Sequence, residues 1–234
     1  MTCLFLLLLS AEANFIDSVF LRQAEIGSRL KGVNYRSELT YIETDLLHNR
    51  AETISCVRRV IMDHYENQKD LFISARVNGR PVSSNELNRI CQTLKRKGVF
   101  ARQTRLPFFL ENRHEYQYEA AGEIELNKRH YRRLRFVPKH PDQHHIIGTG
   151  YFDPFSYDLV RLEFVPARVP IVVDSMQLIL SYDRFDEFWL PAKFTLKMDL
   201  SLKLVKLLMR RRIEIVDCYS DYYLKLAEPT EKDK

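Results

Sequence analysis

The sequence predicts an α+β fold: a long, one-sided antiparallel sheet of about ten strands accompanied by two helices. Three observations predict it. Phe194, Leu196, Met198, Leu200, Leu202 and Leu204 alternate strictly with Thr195, Lys197, Asp199, Ser201 and Lys203, so one face of that strand is apolar and the other is wet. Between Ile146 and Leu204, polar turns at Asp153 to Asp158 and at Asp183 to Glu187 separate further alternating runs, the pattern of consecutive antiparallel strands. Finally, 234 residues with 45% hydrophobic and 12% aromatic content can bury one sizeable core, and seven glycines and nine prolines leave few linkers.

Residues 1 to 13, MTCLFLLLLSAEA, read as a signal peptide. Leu4 to Leu9 is too short to span a bilayer, and Ala11-Glu12-Ala13 ahead of Asn14 has the small-residue spacing of a cleavage site. A basic n-region is missing, which a misplaced start codon would explain. Cleavage leaves Cys56, Cys91 and Cys218, an odd number, so one thiol at least stays free. Cys3 is not in a lipobox, and the mature chain therefore reads as exported and soluble rather than lipid-anchored.

Asn14 to Lys31 reads as a helix capped by Asn14, with Ile16, Phe20, Gly27 and Leu30 on one side and Gly32 ending it. Strands are predicted over Val33 to Leu47, Thr53 to Tyr65 and Leu71 to Val77, the last closed by the tight-turn pair Asn78-Gly79. Ser83 and Glu86 form a capping box for a second helix carrying Leu87, Ile90 and Leu94, and Gly98 stands beyond its end. Its terminal Lys95, Arg96 and Lys97 complement the helix dipole, which accounts for them without a nucleic-acid partner. Leu106 to Leu110 is an apolar connector. Strands resume over His114 to Ala120 and His130 to Val137, pass through Ile146 to Leu204, and finish over Ile213 to Tyr223. The expected organisation is a signal peptide at 1 to 13, one domain over 14 to 227 and a charged tail at 228 to 234.

No catalytic constellation stands out. His140, His144 and His145 cluster with Asp142, but two prolines place them in a solvated hairpin turn rather than on one helical face, so no metal site is assigned. Carboxylates gather at Asp183, Asp186 and Glu187, and at Asp217 and Asp221, in what read as polar turns or strand edges, not across a cleft as glycoside hydrolysis needs. Nucleophile elbows, phosphate-binding glycine loops and paired Cys-x-x-Cys motifs are absent. The 36 basic against 31 acidic residues give +5, a balance that a solvated surface explains. Arg132, Arg133 and Arg135, and Arg210 to Arg212, would alternate between both faces of their strands. The reading is a binding protein, not an enzyme, without cofactor or nucleic-acid partner.

Three stretches carry a family resemblance: the helix-to-strand segment LRQAEIGSRLKGVNYRSELTY, the hairpin YFDPFSYDLVRLEF and the phrase FWLPAKFTLKMDL. In their order they resemble the LolA-like group of periplasmic proteins, and within it the exported outer-membrane lipoprotein-sorting-like proteins. The match covers Tyr116 to Leu226 well and the first hundred residues loosely. The resemblance implies a curved, incompletely closed antiparallel β-barrel with helices covering its concave apolar face. It further implies a monomeric periplasmic carrier of lipid or lipoprotein acyl chains, or else a module that senses envelope stress by binding a membrane protein. Phe194, Leu196, Met198 and Leu200 are then candidates for the cavity lining, or ordinary core under a fixed helix. Trp189 is placed at the barrel mouth or as a buried strand-end aromatic.

Overall fold

The structure, a computed structural model, describes residues 2–63, 67–99, 106–204 and 207–227, with the backbone alone for 2–11, 67, 203, 204 and 207. The expected charged tail at 228 to 234 and Tyr65, the expected end of the second strand, lie outside them. Its elements are α1 (Thr2–Arg29), β1 (Leu30–Asp45), β2 (Arg50–Asp63), β3 (Asn67–Val77), β4 (Arg80–Pro81), α2 (Ser84–Arg96), a 3-10 helix (Leu110–Glu115), β5 (Tyr116–Leu126), β6 (Arg129–Pro138), β7 (Ile146–Phe152), β8 (Leu159–Pro166), β9 (Val173–Phe185), β10 (Phe188–Leu204) and β11 (Leu207–Leu226). The strands form one sheet in the order β4-β3-β2-β1-β11-β10-β9-β8-β7-β6-β5. The registered pairs are antiparallel and the two terminal strands of the order do not pair, so the sheet is not closed.

Strand count and turns follow the sequence closely. The eleventh strand is the two-residue β4, created where Asn78 and Gly79 take positive φ (50° and 80°) and turn the chain back on β3. The first helix departs from expectation: it runs unbroken from Thr2, and Asn14 lies inside it, its carbonyl accepting a hydrogen bond from Ser18 Oγ at 2.8 Å. It ends at Arg29, three residues before Gly32, because β1 begins at Leu30 and pairs with both β2 and β11. Among the described residues no helix is long and apolar enough to cross a membrane.

Two compact units divide the chain. The first comprises residues 1–29, 104–168 and 181–190, and the second residues 30–103, 169–180 and 191–234. In the first unit Phe15, Val19 and Phe20 of α1 are buried. Phe15 meets Phe152 edge-on at 6.2 Å and Phe20 meets Tyr118 at 5.3 Å. The hub is Phe108, within the stretch read as a connector; it stacks edge-on against Phe136 and Phe152, with ring centroids 5.4 and 4.9 Å away. Gly150 makes room for it, since a Cβ there would stand 2.7 Å from both Phe108 and Phe152.

The second unit holds β4-β3-β2-β1-β11, most of β10 and part of β9, with α2 on one face. Ser83 Oγ accepts from the Glu86 amide while Glu86 Oε2 accepts from the Ser83 amide at 3.0 Å, completing the predicted capping box. At the other end Gly98 takes φ +72°, its amide reaches Lys95 and that of Val99 reaches Leu94, each at 3.1 Å. Those two bonds make a Schellman motif, and Leu94 packs with Val99 beside it.

Candidate functional site

The apolar face of the second unit is assembled by alternation. Leu39 and Tyr41 of β1, Ile54 and Cys56 of β2, Ala75 of β3 and Ile215 of β11 are buried together with Ile90, Leu94 and Val99 of the α2 segment. Leu94 is completely buried, and the helix turns its polar side outward, so α2 is an amphipathic cover. Phe194 and Leu196 of β10 pack against this cluster, half-buried. Met198 and Leu200 are half-buried further along the same strand, opposite Ile213 and Arg211 of β11. The four β10 candidates therefore share one strand face as the sequence indicates, and two of them touch the cluster under α2. Trp189, the fifth candidate, belongs to the first unit, where it is half-buried beside a cleft of about 820 Å³ with Arg22, Arg129, Asp158, Asp183 and Glu187.

A cleft of about 770 Å³ opens alongside α2 in the second unit. Ile54, Val77, Pro81, Val82 and Ile90 line it together with the polar Glu52, Asn78, Arg80, Glu86, Arg89 and Thr93, so its wall is mixed and more polar than apolar.

The end of α2 is tied to β1 electrostatically. Lys97 Nζ donates to Tyr41 Oη at 3.2 Å, lies 4.7 Å above that ring, and pairs with Glu43, which also accepts from Tyr41 and Arg211. Burial pulls the Glu43 carboxyl upward, but Lys97, Tyr41 and Arg211 outweigh it and hold the carboxyl below its ordinary value.

Further along the same sheet face, a charged group is buried. Arg58 donates to Ser37 Oγ at 2.9 Å, to Asp70 Oδ1 at 3.0 Å and to Asp217 Oδ2 at 2.9 Å, and Ser37 donates to Asp217 Oδ1 at 2.6 Å. Burial pushes the Asp217 carboxyl upward against the opposing pull of Arg58 and Ser37. This corrects the expectation for Asp217: β11 lies between β1 and β10, so the residue is interior rather than on an edge. Asp186 and Glu187 do lie in an exposed turn, while Asp183 is exposed near the end of β9 and Asp221 is exposed on β11.

The histidine cluster also differs from the solvated turn expected. His140 is exposed, but His145 is 5% exposed, with Nε2 3.0 Å from Glu115 Oε2 and Nδ1 2.7 Å from Asp142 Oδ1. Asp142 Oδ1 also accepts from the amides of His144 and His145. The ring ties the start of β7 to the end of the 3-10 helix, a structural assignment. Among the described residues no group of three or more potential ligands is arranged to hold a metal ion.

Reading by sequence alone missed Arg58 and Asp70, took Lys97 only as a complement to the helix dipole, and treated Ile90 and Leu94 only as a helix stripe. The stripe was a usable signal for the cover; for Arg58 the signal was its phase with Ile54, Cys56 and Val60, which the half-buried Arg59 beside it lacks.

No family model and no curated protein matches the chain. Solved structures do. A domain assigned to outer membrane lipoprotein sorting from Vibrio parahaemolyticus is similar at 12% identity over 93% of this chain and 94% of that one, TM-score 0.45. The chain is similar to LolA-like proteins. A LolA superfamily protein from Nitrosomonas europaea is 9% identical over 94% of this chain and 95% of its own, TM-score 0.35. A DUF1329 family protein from Desulfovibrio piger is 11% identical over 93% and 94%, TM-score 0.42.

Proposed function

We propose that the second unit binds acyl chains of lipids or lipoproteins on the sheet face beneath α2, as an exported, monomeric, non-enzymatic carrier whose signal peptide is residues 1 to 13. The observation that carries this reading is the cleft of about 770 Å³ beside α2, with Ile54, Val77, Val82 and Ile90 among its lining residues. A chain entering there meets the cluster that α2 covers, and Phe194 and Leu196 extend the apolar surface toward Met198 and Leu200.

The energies are of matching size. Lifting α2 re-exposes Cys91 and three larger apolar side chains, Ile90, Leu94 and Val99, the latter at about 1.5–3 kcal/mol each, so about 5–9 kcal/mol. An acyl chain that buries about 14 methylenes at about 0.8 kcal/mol each recovers about 11 kcal/mol.

The test is native mass spectrometry with lipid extraction on protein exported by a Gram-negative host and purified from the periplasm without detergent. Near-stoichiometric phospholipid or acylated peptide, lost in Leu196→Glu, is the expected result; an empty protein that ignores added lipid contradicts the reading. A second reading, capture of an extended protein segment, is favoured by β3. Its partner β4 pairs only with Arg76 and Val77, and Leu71 and Ile73 along the remainder are exposed. That reading predicts a protein partner whose binding is blocked by Ile73→Pro and indifferent to Leu196→Glu.

A further inference from the structure

Three separate stretches of the second unit meet at one end of its sheet and are bonded to one another there. The Leu46 amide donates to the Arg210 carbonyl at 2.9 Å, Arg210 stands opposite Ser201 in the β10–β11 register, and the Ser201 amide donates to the Val172 carbonyl at 2.9 Å. The β1–β2 turn, the start of β11 and the approach to β9 therefore lie side by side. Each presents apolar side chains to water: Leu46 and Leu47 on the first, Leu208 on the second, and Val169 and Ile171 on the third, where Ile171 is wholly exposed. A single exposed apolar residue needs no explanation, but a group gathered from three distant stretches onto one end does.

The turns are shaped to hold these side chains out. Asp45 Oδ1 accepts from the amides of Leu47 at 2.9 Å and His48 at 3.2 Å, and Asn49 takes φ 51° to close the β1–β2 turn. The Val173 amide donates to the Pro170 carbonyl at 2.9 Å, which leaves Ile171 at the tip of its own turn. Charge at this end is asymmetric. Asp45 is occupied by its turn and by the His48 ring, Asp174 accepts from Ser201 Oγ at 2.7 Å, and Asp199 pairs with Arg212 at 2.8 Å. Arg50 and Arg210 are exposed, and among the described residues neither has a carboxylate within ion-pair distance.

We propose that this end of the second unit docks reversibly on an anionic phospholipid bilayer. Ile171, Leu47 and their apolar neighbours enter the boundary between headgroups and acyl chains, while Arg50 and Arg210 meet lipid phosphates. The apolar side chains project from separate turns, and nothing shields Ile171. A deformable layer accommodates such tips, whereas a rigid protein surface must carry a matching pocket for each. None of these residues belongs to the cluster under α2 or to the cleft beside it, so the docking does not rest on the acyl-chain reading.

The full chain is sedimented with vesicles of phosphatidylcholine alone and of equimolar phosphatidylcholine and phosphatidylglycerol, with circular dichroism confirming that each variant is folded. Wild type is expected to pellet with the anionic vesicles, to stay in solution with the neutral ones, and to be released by raised salt. Ile171→Ser and Leu47→Ser each lower the partition coefficient about ten-fold or more, the loss of one side chain's transfer out of water. Arg50→Glu and Arg210→Glu each lower it about five-fold or more. Tyr223→Ser, at an exposed position near the other end of β11, leaves it unchanged. Equal binding to both vesicles, binding to neither, or binding that Ile171→Ser and Leu47→Ser leave intact would overturn the docking. A lipid-free wild type that is dimeric by analytical ultracentrifugation and becomes monomeric in Ile171→Ser would also overturn it, by assigning the surface to a second copy of the chain.

Discussion

Replacing Leu94 by Ala tests whether α2 is a separable cover. Leu94 has no exposed surface and sits among Leu39, Tyr41, Ile54 and Val99, so truncation leaves a cavity that the surrounding strands cannot collapse. The cost of such a change is about 2–5 kcal/mol. If α2 lifts without the sheet unfolding, that cost falls on the opening step alone. One decade in an equilibrium constant is about 1.4 kcal/mol, so the population of the open state rises about 30-fold to several thousand-fold. Cys56, 2% exposed, reports the open state directly. The assay is the alkylation rate of Cys56 in the reduced protein, followed on peptide Ala51–Arg58 at increasing urea. The expected outcome is a rate increase of that size, with a shallower urea dependence than global unfolding because little surface opens. Alkylation that follows only global unfolding in both proteins would refute the separable cover.

Other outcomes follow from the same geometry. The stability Glu43 adds to the α2 anchor is complete above the ordinary carboxyl value of 4.5 and is lost as pH falls through its lowered folded value, so the urea midpoint falls on acidification and Glu43→Gln removes that part of the dependence. Asp217 has the opposite sign: its raised folded value means its contribution is lost as pH rises through that value, and Asp217→Asn flattens that limb of a pH-stability curve. Arg58→Met strands Asp70 and Asp217 without their shared cation and costs about 3–5 kcal/mol in urea unfolding; a cost under 1 kcal/mol would mean the cluster is hydrated. Gly148→Ala drives a methyl group into the Glu163 carbonyl and Phe164 across β7 and β8, costing about 1–3 kcal/mol in thermal unfolding.

The sheet was legible wherever its signal is local. Period-two alternation on β10, the Asn78-Gly79 turn, and the Ser83, Glu86 and Gly98 punctuation of α2 are each written within a dozen residues, and each appears where read. What failed depends on distant partners. Asp217 looks like a polar edge residue until Arg58, 159 residues away, is brought beside it. His145 looks solvated until Glu115 closes over its ring, and Phe108 looks like linker until Gly150 admits it between Phe136 and Phe152. Asn14 misled for the reverse reason: its capping preference is weak beside a long run of good helix formers, and the helix continued through it. For the site, alternation placed Phe194, Leu196, Met198 and Leu200 on one face, but α2's role as cover and the cleft at its side required the tertiary packing.

The central claim is that the face under α2 holds an acyl chain, and fluorescent fatty-acid titration tests it most directly. Wild type, Leu196→Glu and the solvent-face control Lys197→Glu are compared after reduction, with far-UV circular dichroism confirming that each is folded. Saturable one-to-one uptake by wild type and Lys197→Glu, abolished in folded Leu196→Glu, is the predicted result. No uptake by wild type, or uptake that Leu196→Glu leaves unchanged, would contradict the claim and leave the face beneath α2 as permanent core.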